Sequence, residues 1–143
     1  MCVLPILVAE QRGLPMSATT LPDRRSQFVT VAIWMLQIVV ALAFVAAGSA
    51  KLSGASQMVE IFDRIGIGQW FRVVTGIVEV TGGALLLWPG RSAYGALLLT
   101  VTMSGALLMH ALRLGGMWQP AAILFFLSAL LLWLNRRQLG AGR

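Results

Sequence analysis

Four long apolar segments alternate with short polar stretches along the chain. The first, residues 28–50, has Gln37 as its only strongly polar side chain, follows Asp23, Arg24 and Arg25, and ends at Lys51. At ~1.5 Å per residue it is long enough to cross a hydrocarbon core of ~30 Å as a helix. The second, residues 70–88, has Trp70 and Trp88 at its ends and stops at Pro89-Gly90, although Arg72 and Glu79 interrupt it. Indoles at both ends of an apolar run suit the two faces of a membrane, and Pro-Gly marks a turn. The third, residues 92–112, is apolar until His110 and is closed by Arg113 and Gly115-Gly116. The fourth, residues 118–134, opens on Gln119-Pro120, which suits a first helical turn, and ends at Asn135-Arg136-Arg137.

Polar residues return in the connector from 52 to 69, including Glu60, Asp63 and Arg64, while Met58, Ile61, Phe62 and Ile65 recur at three- and four-residue spacing. That spacing predicts a short amphipathic helix at the interface or capping the bundle, stopped by Gly66 and Gly68. The short links after the second and third segments favour antiparallel neighbours. The expected architecture is therefore all-α: an integral membrane four-helix up-down-up-down bundle, with helices at about 28–50, 70–88, 92–112 and 118–134 and the amphipathic connector between helices 1 and 2. A polar, basic segment (1–27) precedes the transmembrane domain (28–134), and a basic tail (135–143) follows it, with residues 138–143 read as flexible. Residues 1–15 lack the basic start and apolar run of an export signal, and Met16 opens a polar, basic lead-in that reads as an alternative start.

Composition agrees with this pattern. The chain is 143 residues long, 58% apolar and 11% charged, with a mean hydropathy of +0.83. So small a chain has too much surface to keep that much apolar material from water. The formal charge of +6 comes from basic residues scattered at the ends of apolar runs, not from one patch, so it argues for topology signals and against a nucleic-acid partner. Arg12, Arg24, Arg25, Arg91, Arg136, Arg137 and Arg143 fall on the side of the termini, against Lys51, Arg64, Arg72 and Arg113 opposite. The excess predicts both termini in the cytoplasm.

Candidate chemistry gathers inside the apolar segments. Glu79 lies midway along the second, where an ionisable group is costly and faces protein or a water-filled space. Gly76, Glu79 and Gly83 share a face, with Gly82 alongside, and form a small-residue stripe for close helix packing. Gln37, Ala41, Phe44, Gly48 and Lys51 share a face of the first helix, and Met103, Ala106 and His110 a face of the third. The candidate polar interior site is Glu79, Lys51, His110, Gln37 and Arg72, with Gly48, Gly76, Gly82 and Gly83 as packing positions. Such a site suits a quinone head group, a small polar solute or a proton in transit. The competing reading makes Glu79 a structural ion pair across helices, Lys51, Arg72 and Arg113 interfacial anchors, and His110 a hydrogen-bonding residue at the interface.

Several chemistries find no motif. Cys2 is the only cysteine and His110 the only histidine, which excludes an internal disulfide, a thiolate cluster, a bis-histidine haem and a multi-histidine metal site within one subunit. No phosphate loop, nucleophile elbow or paired carboxylates stand out, so no catalytic residues are assigned and no metal or covalently bound cofactor is expected.

The order of these features resembles the DoxX-like family of small four-helix membrane proteins. The residues that carry the resemblance are Ala47-Gly48-Ser49-Ala50-Lys51-Leu52, Phe62 with Gly66-Ile67, Gly76-Ile77-Val78-Glu79-Val80-Thr81-Gly82-Gly83 with Leu85 to Leu87, and Met103, Ala106 and His110. The resemblance implies a bacterial inner-membrane protein. The family name comes from a subunit of a thiosulfate:quinone oxidoreductase, and other members are linked to oxidative-stress complexes or to assembly of partner proteins. It implies a redox-associated, quinone-linked accessory subunit that works beside a membrane or periplasmic oxidoreductase. A non-catalytic scaffold or assembly factor is the alternative, and a small-solute or proton carrier, which would need a homo-oligomer to enclose a path, ranks last.

Overall fold

The structure, a computed structural model, describes residues 24–116 and 118–140, with side chains from residue 27 onward. The N-terminal segment with its alternative start at Met16, and Arg143 at the end of the tail, lie outside the described residues. Among the described residues every regular element is helical. In chain order they are α1 (Arg24–Leu52), α2 (Ser56–Ile65), α3 (Gln69–Leu86), α4 (Ser92–Met109), a π-helical turn (His110–Leu114), α5 (Gln119–Asn135) and the single turn α6 (Arg137–Gly140).

The apolar run of α1 keeps helix-forming geometry over 29 residues, and α1 and α4 with its π-helical extension are each long and apolar enough to cross a membrane. Helix α5 is strongly apolar but shorter, at 17 residues. Helix α2 behaves as its spacing predicts: Phe62 and Ile65 are buried, and Gly66 ends it with φ +78° while its N–H bonds to the Phe62 carbonyl. A positive φ at that cap is reached without strain by glycine.

Helix α1 packs along α3, α3 along α4 and α4 along α5, and α1 also touches α5. Close contacts give the direction of each pair. Gly48 meets Gly76 while Gly83 meets Ala41 and Val45, so α1 and α3 run antiparallel. Gly82 meets Leu99 while Gly95 meets Leu86, so α3 and α4 do the same. At one end, Gln138 just past α5 bonds to Ala93 at the start of α4. Small residues make these approaches possible: a Cβ on Gly48 would lie 2.8 Å from the Gly76 carbonyl oxygen, and one on Gly95 2.7 Å from that of Gly82. The apolar core, Val40, Ala41, Phe44, Leu86, Ala96, Leu99, Met103 and Leu131, draws on all four long helices.

Three details depart from the sequence pattern. Helix α3 ends at Leu86, so Trp88 belongs to the turn before α4. The third apolar helix does not end as a regular α-helix, because a π-helical turn begins at His110, and the N–H of Gly115 (φ +56°) bonds to the His110 carbonyl. The segment read as a flexible tail from residue 138 instead includes α6, and Gln138 is tied to α4 and α5.

Candidate functional site

Lys51 stands in the last turn of α1, and Glu79 sits in mid-α3 directly behind Gly48. The antiparallel packing of α1 on α3 brings the two together: Lys51 Nζ lies 2.6 Å from Glu79 Oε2, with the carboxylate side chain 2% exposed and the ammonium side chain 15%. A charge this deep in protein is tolerated when it is paired and hydrogen-bonded, and Lys51 supplies both. Glycine at 48 and 76 is what allows the helices to close over the pair. A Cβ on Gly76 would meet Lys51 Cβ at 3.1 Å and the Gly48 carbonyl oxygen at 3.0 Å.

Arg72 holds the same corner from the other side. Its guanidinium donates to the Lys51 carbonyl at the end of α1, which also accepts from the Gly54 N–H at 3.3 Å, and its Nε donates to Gln69 Oε1 at 2.7 Å. Gln69 Nε2 in turn donates to the Val59 carbonyl at 3.1 Å and to Asp63 Oδ1 at 2.6 Å. One continuous set of polar contacts therefore ties the end of α1, helix α2 and the start of α3. The sequence pattern singled out Lys51, Glu79 and Arg72 but passed over Gln69 and Asp63. The only trace was a glutamine beside Trp70, opening an apolar run.

His110 and Gln37 do not join this group. His110 lies at the same end of the molecule, since the π-helical turn packs against α2, but no hydrogen bond or ion pair links it to Lys51 or Glu79 among the described residues. It lines a separate cleft of about 410 Å³ with Leu107, Ala111, Gly115, Gly116 and Trp118. Its Nδ1 is buried without a hydrogen-bond partner. That is a costly condition for an imidazole nitrogen.

Gln37 is 2% exposed but stands eleven residues before Gly48 on α1, ~16 Å away along the axis at helical rise. It lines a different cavity, of about 250 Å³, with Ser92, Asn135 and Gln138 among its walls. The five polar candidates thus divide into a helix-bridging network (Lys51, Glu79, Arg72), a histidine cleft and a glutamine cavity.

The packing positions Gly48, Gly76, Gly82 and Gly83 all sit at helix contacts: Gly82 against Leu99, and Gly83 against Val45 and the Ala41 carbonyl. Gly95, which the sequence reading left out, makes the tightest approach to backbone. Its signal was present in Ser92-Ala93-Tyr94-Gly95-Ala96, a run of small residues at the start of an apolar helix. Among the described residues no three histidine, cysteine, aspartate or glutamate side chains stand close enough to share a metal ion.

Comparison with curated proteins and with solved structures finds no match. The model of the DoxX-like family matches residues 35–134, from the body of α1 across the Lys51–Glu79 network and the His110 cleft to the end of α5, and the chain belongs to that family.

Proposed function

We propose that this chain is a multi-pass protein of the bacterial cytoplasmic membrane, a four-helix up-down-up-down transmembrane bundle with both termini inside, which serves as a quinone-linked accessory subunit of a redox complex. Family membership and two helices of membrane-spanning length support the membrane placement. The large apolar side chains facing outward from all four long helices, among them Val31, Val39, Ile77, Val101 and Phe126, support it further.

The observation that carries the quinone reading is His110, which lines a cleft walled by Leu107, Ala111 and Trp118 and whose buried Nδ1 has no hydrogen-bond partner. An imidazole nitrogen can donate to a quinone carbonyl as one tautomer and accept from a quinol hydroxyl as the other, and apolar walls suit the ring. When bound, the quinone would supply the electron-accepting chemistry, and a partner oxidoreductase would supply the electrons. The chain's own part is to hold the ring and exclude water around it.

Titration of the purified protein with a short-chain ubiquinone tests the reading. Saturable binding that His110→Leu weakens about tenfold, the scale of one lost hydrogen bond to a buried group, is expected. Glu79→Gln, outside the cleft, should leave affinity within about twofold. Absence of binding by the unaltered protein overturns the proposal.

A non-catalytic scaffold or assembly role is favoured by a different observation. The Lys51–Glu79 pair is closed off by Gly48 and Gly76 and bound to α2 through Arg72 and Gln69, an arrangement suited to bracing helices. Recovery of the same membrane enzyme in mild-detergent pull-downs from wild-type cells and from cells carrying His110→Leu would support this second reading over the first.

A further inference from the structure

The second cavity lies at the end of the helices away from Lys51 and Glu79. Its walls include Trp34 and Gln37 of α1, Gly90 of the turn, Ser92 of α4, and Asn135 and Gln138. Most of its polar groups are already engaged. Ser92 Oγ donates to the Trp88 carbonyl at 3.3 Å and Asn135 Nδ2 to the Leu131 carbonyl at 2.9 Å. Gln138 Nε2 donates to Asn135 Oδ1 at 3.2 Å, and its Oε1 accepts from the Ala93 N–H. Gln37 is the exception. It is buried to 2% exposure, lines the cavity, and its side-chain amide makes no hydrogen bond among the described residues. An amide on the cavity wall can both donate to and accept from a ligand there.

The electrostatics of this end favour an anion. The first turn of α4, 18 residues long, opens beside the cavity and presents the positive end of its dipole there. Arg91 immediately precedes it, and Arg136 and Arg137 follow α5. The Arg91 guanidinium lies 5.4 Å over the Trp88 ring and that of Arg136 5.1 Å over the Trp133 ring, and both indoles face outward. The described acids, Glu60, Asp63 and Glu79, all belong to α2 and α3 toward the opposite end. Among the described residues the cavity therefore combines an amide without a hydrogen bond with arginines nearby in the chain and no acid at the same end. It also opens toward apolar surface, because Trp34, one of its walls, is 39% exposed and is followed on the same face of α1 by Ile38. Its volume suits a head group but not two acyl chains, which would lie along that outer face.

We propose that this cavity binds the phosphate-bearing head group of an anionic glycerophospholipid, with Gln37 hydrogen-bonding inside and Arg91 and Arg136 holding the charge at the rim. The proposal rests on the transmembrane reading above and is independent of the quinone reading. Basic sites between helices at the cytoplasmic face are suited to such head groups.

The test uses the full chain in mild detergent, loaded with phosphatidylglycerol or phosphatidylcholine of the same acyl composition, with retained lipid measured by native mass spectrometry. Retention of phosphatidylglycerol about tenfold tighter than phosphatidylcholine is expected, with Gln37→Leu, and separately Arg91→Gln with Arg136→Gln, reducing the preference to about twofold or less. Equal retention of the two lipids by the unaltered protein overturns the proposal whatever the variants do. So does an unchanged preference in Gln37→Leu. Binding of glycerol 3-phosphate as tightly as phosphatidylglycerol also overturns it, by making a soluble phosphate the occupant. Alkaline carbonate extraction separates the two premises: release of the protein defeats the transmembrane reading, and a protein that stays in the membrane without a lipid preference defeats this one alone.

Discussion

Lys51 and Glu79 form an asymmetric pair: the carboxylate is shut inside the helices at 2% exposure, whereas the ammonium, at 15%, lies at the end of α1. Their positions make the consequences of removing either one unequal. Without Lys51 the buried carboxylate loses its ion-pair partner, a situation that costs about 3–5 kcal/mol for buried pairs. Without Glu79 the lysine can turn its flexible stem toward the interface, so less is lost. Unfolding of the purified protein should therefore rank Lys51→Met as more damaging than Glu79→Leu. The double variant should be more stable than the sum of the two single losses by about 1–3 kcal/mol. Additive losses would show that the two charges do not act as a unit.

Gly95 and Gly105 lie on the same helix and make opposite predictions. A Cβ at Gly95 would fall 2.7 Å from both the Gly82 carbonyl oxygen and the Leu86 nitrogen, which are backbone atoms that cannot move without parting α3 from α4. Gly95→Ala should cost about 1–3 kcal/mol, the range for overpacking a close contact. Nothing lies within 4 Å of a Cβ at Gly105, so Gly105→Ala should be neutral or should stabilise by about 0.5–1 kcal/mol through helix propensity. Thermal melts of both variants in one detergent check the contrast.

The helices and the glycine stripe were legible because apolar length and small-residue spacing are local properties of the chain. The amphipathic connector was legible for the same reason, since Phe62 and Ile65 announce a buried face by spacing alone. What spacing could not supply was depth along each helix relative to its neighbours. Gln37 and Lys51 share a face of α1, but they are ~21 Å apart at helical rise, and only the pairing of α1 with α3 shows that Glu79 meets the second and not the first. The π-helical turn at His110 was hidden because it depends on a hydrogen bond closed by Gly115, a glycine that reads equally well as an ordinary helix stop. Gln138 was hidden because its partner, Ala93, lies far away in the chain.

Gln138 acts as a cap supplied from a distance. Its Oε1 accepts from the Ala93 N–H at 3.2 Å in the first turn of α4, where Arg91 makes no side-chain cap of its own. Gln138→Ala should cost about 0.5–2 kcal/mol, as loss of an N-terminal cap does, and should release α6. Amide exchange faster at residues 137–140 and at Ala93, with the middle of α4 unchanged, is the expected signature; uniform exchange across α4 would mean that the contact has no capping role.

The distribution of lysine and arginine between the two ends predicts the orientation. The Lys51 end carries Lys51, Arg64, Arg72 and Arg113, of which Lys51 is paired with Glu79, Arg64 with Glu60 at 2.5 Å, and Arg72 bonds to the Lys51 carbonyl and Gln69. At the other end, Arg91 and Arg136 lie over outward-facing indoles, with Arg137 beside them and Arg24 and Arg25 at the start of α1, and the described acids lie elsewhere. Lysine and arginine flanking transmembrane helices are retained on the cytoplasmic side, and neighbouring acids count for little, so the termini should be inside. A green fluorescent protein fused after Arg143 should fluoresce, and an alkaline phosphatase fused at the same point should be inactive. In a Cys2→Ser background, a cysteine placed at Gly54 should react with an impermeant maleimide in whole cells, while one placed at Gly90 should react only after lysis; the reverse labelling pattern would invert the topology and with it the side on which each cavity opens.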